Sequence, residues 1–131
     1  MNFWQEHSSE YLEMAFTYDH MERVENPDGY GIRTGECGDT VEFFIMEKDG
    51  VIDSISYYVN GCKNTNACAN TVVKMAEKKR IEDAWEITPE AVAGYLKTLP
   101  SDEIHCSELA VGAFYLALRN IEDKSSKDKL K

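Results

Sequence analysis

Residues 39–59 read DTVEFFIMEKDGVIDSISYYV, and the fold is decided here. From Asp39 to Glu47 the apolar side chains alternate, with Val41, Phe43 and Ile45 on one side. From Val51 to Val59 the same holds for Val51, Ile55, Tyr57 and Val59. A period of two is that of a half-buried strand. Between the runs, Lys48-Asp49-Gly50 supplies residues that tolerate the positive φ of a tight turn, so the stretch predicts a β-hairpin. A two-stranded ribbon is marginal in water. Helices must therefore cover one face, and the Tyr30–Arg33 region offers a short third strand.

Outward from the hairpin, the pattern becomes helical. Residues 8–24 carry a first helix, with Ser8 or Ser9 as cap and Leu12, Ala15, Phe16 and Met21 on a loose apolar face. Pro27 and the Asp28-Gly29 step end it and open a loop running to Gly38. A second helix runs from Asn64 or Thr65 to Arg80, with Cys68, Val72, Met75 and Ala76 on its stripe. Residues 81–87 form a short linking helix. Thr88-Pro89-Glu90 is a strong helix start, and Pro100 bounds that helix near Leu99. The last helix begins near Ser101 or Asp102 and reaches about Asn120, with Leu109, Ala110, Ala113, Phe114, Ala117, Leu118 and Ile121 on a broad apolar face. The fold class is α+β: a small antiparallel sheet of two to three strands packed against four to five helices. Residues 1–122 form one domain, and 123–131 read as a charged, flexible tail.

Acidic residues outnumber basic ones, 24 to 14, for a net charge of −10. That disfavours nucleic acid and anionic membrane surfaces as partners. Lys74, Lys78, Lys79 and Arg80 fit the solvated C-terminal end of a helix, where positive charge suits the dipole. Nowhere is there an uncharged apolar run of the roughly 18 residues that a membrane span needs. The N-terminus lacks a secretory signal, so the cytoplasm is the expected compartment. Four cysteines in such a reducing compartment point away from structural disulfides and toward metal or sulfur chemistry.

Three of those cysteines lie in loops beside unpaired backbone amides: Cys37 next to Gly38, Cys62 just ahead of a helix, and Cys106 in the first turn of another. Such positions are expected to favour thiolate, the metal-binding form. His105 adds an imidazole beside Cys106, and Asp39 a carboxylate two residues after Cys37. Three sulfurs with one nitrogen or oxygen suit zinc or an iron–sulfur cluster and exclude calcium or magnesium cages. The spacing lacks the Cys-x2-Cys pairs of zinc fingers. Each cysteine can equally be a small buried side chain, Cys68 above all, which lies on the apolar stripe. A Cys106–His105 catalytic dyad is poorly placed, because neighbours at i and i+1 do not face each other on a helix.

Cys37-Gly38-Asp39 leading into a strand, the hairpin, Gly61-Cys62 leading into a helix, and Leu99-Pro100 followed by His105-Cys106-Ser107-x-Leu109-Ala110 agree in order and setting over residues 26–120. In these motifs the sequence resembles the NifU-like or IscU-type iron–sulfur cluster assembly scaffold proteins. The resemblance implies a SufE/NifU-like α+β domain that is not an enzyme. Such a domain takes iron and sulfide, the sulfur coming from a cysteine desulfurase, holds a transient [2Fe-2S] cluster and passes it to recipient proteins. It implies that Cys37, Cys62 and Cys106 are the cluster and persulfide cysteines, Asp39 the carboxylate that keeps the site labile, and His105 an alternative ligand. Zinc can occupy the same site. The alternatives are a zinc-binding protein and a persulfide-carrying sulfurtransferase using the same cysteines. The chain departs from the family where Leu99-Pro100-Ser101-Asp102-Glu103 replaces the chaperone-recognition segment Leu-Pro-Pro-Val-Lys of many members, which puts an Hsp70-type chaperone partner in doubt. Cys68 replaces a small residue that is not usually cysteine, which makes it a candidate extra ligand.

Overall fold

The computed structural model describes residues 7–100 and 103–130, with the side chains of 125–130 left aside. Its elements are α1 (Ser9–Phe16), β1 (Gly29–Thr34), β2 (Thr40–Lys48), β3 (Val51–Asn60), α2 (Lys63–Ala76), α3 (Ile81–Ala84), α4 (Pro89–Leu96) and α5 (His105–Leu130). The three strands form one antiparallel sheet in the order β1-β2-β3. The fold is α+β, as expected.

The hairpin forms as its alternation predicts. Val41 pairs with Val59, Phe43 with Tyr57 and Ile45 with Ile55, and all six side chains are buried. The alternation fails at one place. Register shifts between Met46 and Glu47, which leaves Asp53 as an extra residue in β3. Such a bulge brings Ile52 to the core face beside Ile55, so Ile52 is fully buried while the expected Val51 is only partly so. Lys78 holds the bulge from outside, its Nζ donating to the Asp53 carbonyl at 2.7 Å.

The third strand is present and is held by two glycines. Gly29 and Gly31 lie opposite Ile45 and Phe43, on the core face. A Cβ at Gly31 would stand 2.2 Å from the Ala113 carbonyl oxygen, and one at Gly29 2.6 Å from that of Ala117. Residues that read in sequence as a turn thus let β1 lie directly on the backbone of α5. The apolar face of α5 is buried as predicted, with Phe114 edge-on to Phe43 at a ring-centroid distance of 5.8 Å.

Several boundaries differ from the sequence reading. The first helix stops at Phe16, because from Thr17 the backbone is extended and then pairs with β3: Glu22 donates to the Tyr57 carbonyl and Tyr57 to that of His20. Met21 is therefore in a β-bridge and not on a helix face. Helix α2 starts one or two residues early, with Cys62 at its N-cap and no bond from the cap's own side chain. It ends at Ala76, because Lys78 turns left-handed (φ 69°) and pairs with Ile52. Thr88 caps α4 through its hydroxyl as expected, but α4 ends at Leu96, ahead of a left-handed Lys97. Helix α5 begins at His105, and the proposed caps Ser101 and Asp102 lie outside the described residues. It runs to Leu130, well past Asn120 and through the stretch expected to be a tail, since no proline or glycine follows Gly112 to stop it. Among the described residues no helix is long and apolar enough to cross a membrane.

Candidate metal centre

Three segment ends meet at one end of the sheet: the β1–β2 turn, the N-terminus of α2 and the N-terminus of α5. The turn is closed by Gly35 N–H donating to the Asp39 carbonyl at 2.9 Å and by a left-handed Gly38 (φ 90°). This sets Cys37 at the tip, exposed, and turns Asp39 toward α2.

Asp39 supplies the cap that Cys62 does not. Its Oδ2 accepts the Cys62 amide at 3.2 Å and the Thr65 hydroxyl at 2.6 Å. Gly61 makes this approach possible, since a Cβ there would stand 2.5 Å from the carboxylate. Burial opposes ionisation of Asp39, but the Thr65 hydroxyl, the Cys62 amide and nearby His105 outweigh it and hold the carboxyl below its ordinary range.

Thr65, fully buried, is the pivot of the site. Its hydroxyl oxygen lies 3.4 Å from Cys106 Sγ and 3.5 Å from Cys62 Sγ. Cys62 is exposed and Cys106 buried. The Cys106 thiol donates to Glu103 Oε2 at 3.4 Å, and His105 Nε2 stands 3.7 Å from both that sulfur and that oxygen. Ligand atoms of Cys62, Glu103 and Cys106 all lie within 4.8 Å of one another. Two soft sulfurs, a hard oxygen and an adjacent imidazole suit a divalent transition metal.

The expectation that helix position lowers the thiol pKa fails for Cys106. Burial pushes it up to about 12, with the Glu103 carboxylate and Cys62 adding to the rise and Thr65 opposing it. Without a metal this sulfur is a thiol.

The structure thus brings Cys62, Cys106 and His105 together and links Asp39 to them through Thr65. Cys37 lies outside the 4.8 Å group. It shares with His105 a groove of about 550 Å³ that is also lined by Arg33, Gly35, Glu108 and Leu109. Cys68 is fully buried in the core, and burial raises its thiol pKa well above the ordinary value. Sequence reasoning missed Glu103 and Thr65 as members of the site. The available signal was their spacing, three residues before Cys106 and three after Cys62, which puts each on its cysteine's side of a helical turn.

Residues 20–128 match the NifU-like N-terminal domain family. The chain is 35% identical over 122 residues to two Archaeoglobus fulgidus proteins named iron-sulfur cluster assembly scaffold protein IscU 1 and IscU 2. In each comparison 87% of this chain and 80% of the relative is covered. Among solved structures it resembles the N-terminal part of a NifU-like protein from Brucella abortus. The TM-score is 0.74 at 17% identity, covering 89% of this chain and 94% of that one. It also resembles a putative iron-sulfur cluster assembly scaffold protein for the SUF system from Fervidobacterium islandicum, with a TM-score of 0.72 at 13% identity over 89% of this chain and 99% of that one. The chain belongs to the NifU-like N-terminal domain family.

Proposed function

We propose that the chain is an iron–sulfur cluster assembly scaffold. As cargo it takes iron and desulfurase-derived sulfide, holds them as a transient [2Fe-2S] cluster at Cys37, Cys62 and Cys106, and hands the cluster to recipient proteins. The observation that carries this reading is the meeting of Cys62 and Cys106 with Glu103, His105 and Asp39 at one half-open end of the fold. A permanent cluster favours a closed, four-thiolate site. Here one thiol is buried and two are exposed, and the Glu103 oxygen and His105 nitrogen stand beside Cys106. That mixture suits a cargo that must arrive and leave.

In this reading the exposed Cys37, on its turn, closes over the groove when cargo is held, and zinc can occupy the same donors. The chain is not an enzyme and works in the cytoplasm. Cys68 is a core thiol. No Hsp70-type chaperone is assigned, since the Pro-Val-Lys part of its recognition segment is absent.

Anaerobic incubation of the purified chain with iron, cysteine and a desulfurase, followed by visible absorption and metal analysis, tests the proposal. Sulfur-to-iron charge-transfer bands with bound iron and sulfide are expected. Zinc retained through the treatment with no cluster would point to a zinc protein. A persulfide without iron would point to a sulfurtransferase.

A further inference from the structure

Asp39 is the carboxylate that sequence reasoning places at the metal, yet its Oδ2 is engaged by the Cys62 amide and the Thr65 hydroxyl. To coordinate through that oxygen it must release the N-terminus of α2. Glu103 stands differently. Its Oε2 lies 3.4 Å from Cys106 Sγ and 3.7 Å from His105 Nε2, and Cys106 Sγ lies 3.7 Å from the same nitrogen. Around a tetrahedral zinc, with Zn–S near 2.3 Å and Zn–N or Zn–O near 2.1 Å, adjacent donors are separated by about 3.3–3.8 Å. Glu103, His105 and Cys106 therefore already have nearly the spacing of one face of a coordination tetrahedron. Cys62 has its ligand atom within 4.8 Å of those of Glu103 and Cys106, in a group that does not include His105, so the fourth corner needs Cys62 to close by about 1 Å on those two and to approach the imidazole as well.

We propose that Glu103 is a metal ligand in this chain. It forms, with Cys62, Cys106 and His105, a two-sulfur, one-nitrogen, one-oxygen site for a single divalent zinc or ferrous ion, while Asp39 remains the clamp on α2. The proposal rests on the scaffold reading only in using the same thiols. The oxygen donor has a chemical consequence: a hard ligand among thiolates lowers affinity for soft ions and leaves the bound ion easier to exchange than an all-sulfur set would. Capture of the ion by Cys62, Cys106, His105 and Glu103 displaces to solvent the proton of each coordinating thiol, on Cys62 and on Cys106, and involves no change of oxidation state.

The test uses the full chain stripped of metal, titrated with Zn²⁺ against a chromophoric chelator and separately with Co²⁺. Glu103→Gln, nearly isosteric and uncharged, is expected to weaken zinc binding about tenfold or more and to shift the Co²⁺ ligand-field bands. Asp39→Asn is expected to change zinc affinity less than Glu103→Gln does. Zinc affinity of Glu103→Gln within about twofold of the parent, with an unchanged Co²⁺ spectrum, overturns the proposal. X-ray absorption of the zinc-loaded parent chain gives a second measurement independent of any variant's folding. Two sulfurs and two lighter donors are expected, whereas three sulfurs would show that Cys37 takes the place assigned to Glu103. Failure of cluster reconstitution with these zinc results intact sinks the scaffold reading and leaves Glu103 a ligand.

Discussion

The Asp39 carboxylate caps helix α2 across a gap of more than twenty residues in sequence, accepting the Cys62 amide at 3.2 Å. The residue that precedes the helix is a thiol that makes no cap bond itself. A cysteine at this position keeps its sulfur available for metal only because another segment satisfies the helix end.

Removing the cap should therefore cost stability before it affects metal chemistry. Asp39→Ala is expected to lose about 1–2 kcal/mol in urea unfolding at neutral pH, the usual value of an N-cap side chain. The folded carboxyl titrates below its ordinary value. Its contribution is thus fully present above the unfolded aspartate value of about 3.9 and is lost as pH falls through the folded one. The gap between parent and Asp39→Asn should narrow over that acid window. A constant gap down to the acid limit would show that the carboxylate charge plays no part in the cap.

Two glycines predict opposite signs for the same substitution. Gly31→Ala places a Cβ 2.2 Å from the Ala113 carbonyl oxygen and 2.5 Å from the Ala117 nitrogen, against backbone of α5 that cannot move aside as a flexible side chain would. A loss of about 1–3 kcal/mol or more follows from overpacking. At Gly94, exposed within α4, nothing stands within 4 Å of an added Cβ. Gly94→Ala should gain up to about 1 kcal/mol from helix propensity alone. Thermal or urea midpoints of the two variants check both.

The elements that were legible in sequence are those whose pattern is local. Val41, Phe43 and Ile45, the Asp49-Gly50 turn and the α5 stripe each announce themselves within a few residues. What was not legible is set by distant partners. The bulge at Asp53 is gripped by Lys78, the end of α1 is dictated by pairing of residues 20–22 with β3, and Gly31 is explained by Ala113. The site follows the same division. Cys62, His105 and Cys106 stood out by residue type, whereas Thr65 and Glu103 acquire meaning only once the starts of α2 and α5 meet.

Asn66 and Asn70 make a similar long-range bond that no motif marks. Asn66 Nδ2 donates to the Met14 and Ala15 carbonyls at 3.2 Å each, and Asn70 Nδ2 to those of Met14 and Thr17 at 3.2 and 3.0 Å. Both side chains are buried, and Tyr57 donates to Asn66 Oδ1 at 2.8 Å. They satisfy the open carbonyls at the end of α1. Asn66→Ala takes the side-chain donor from the Ala15 carbonyl and leaves the Tyr57 hydroxyl only the Thr17 carbonyl at 3.4 Å, while Met14 keeps Asn70, for a loss of about 1–3 kcal/mol. Hydrogen exchange should show α1 opening before the sheet does. Uniform protection across α1 and β3 would contradict that order.

Cys68 separates packing from ligation. Cys68→Ala is expected to lower the unfolding midpoint, since it removes a fully buried sulfur from the core. Zinc affinity should stay within about twofold of the parent, well short of the tenfold cost of losing a group that supports a metal. A stable variant with markedly weaker metal binding would place the sulfur among the ligands instead.

In the proposed site, metal capture through Cys106 is a proton-releasing event. In the metal-free chain its thiol is pushed up to about 12, chiefly by burial. At neutral pH it is therefore protonated, and only the thiolate binds metal. Each zinc ion bound through Cys106 must expel that proton, so apparent affinity rises as pH rises, by about tenfold per unit for each proton displaced. Calorimetric zinc titrations in two buffers of different ionisation enthalpy count the protons released. Cys106→Ser should release about one fewer than the parent at the same pH, because the serine hydroxyl keeps its proton. An equal count in the two proteins would remove Cys106 from the ligand set, and with it the argument that a buried thiol at the head of α5 is held in reserve until a metal ion arrives.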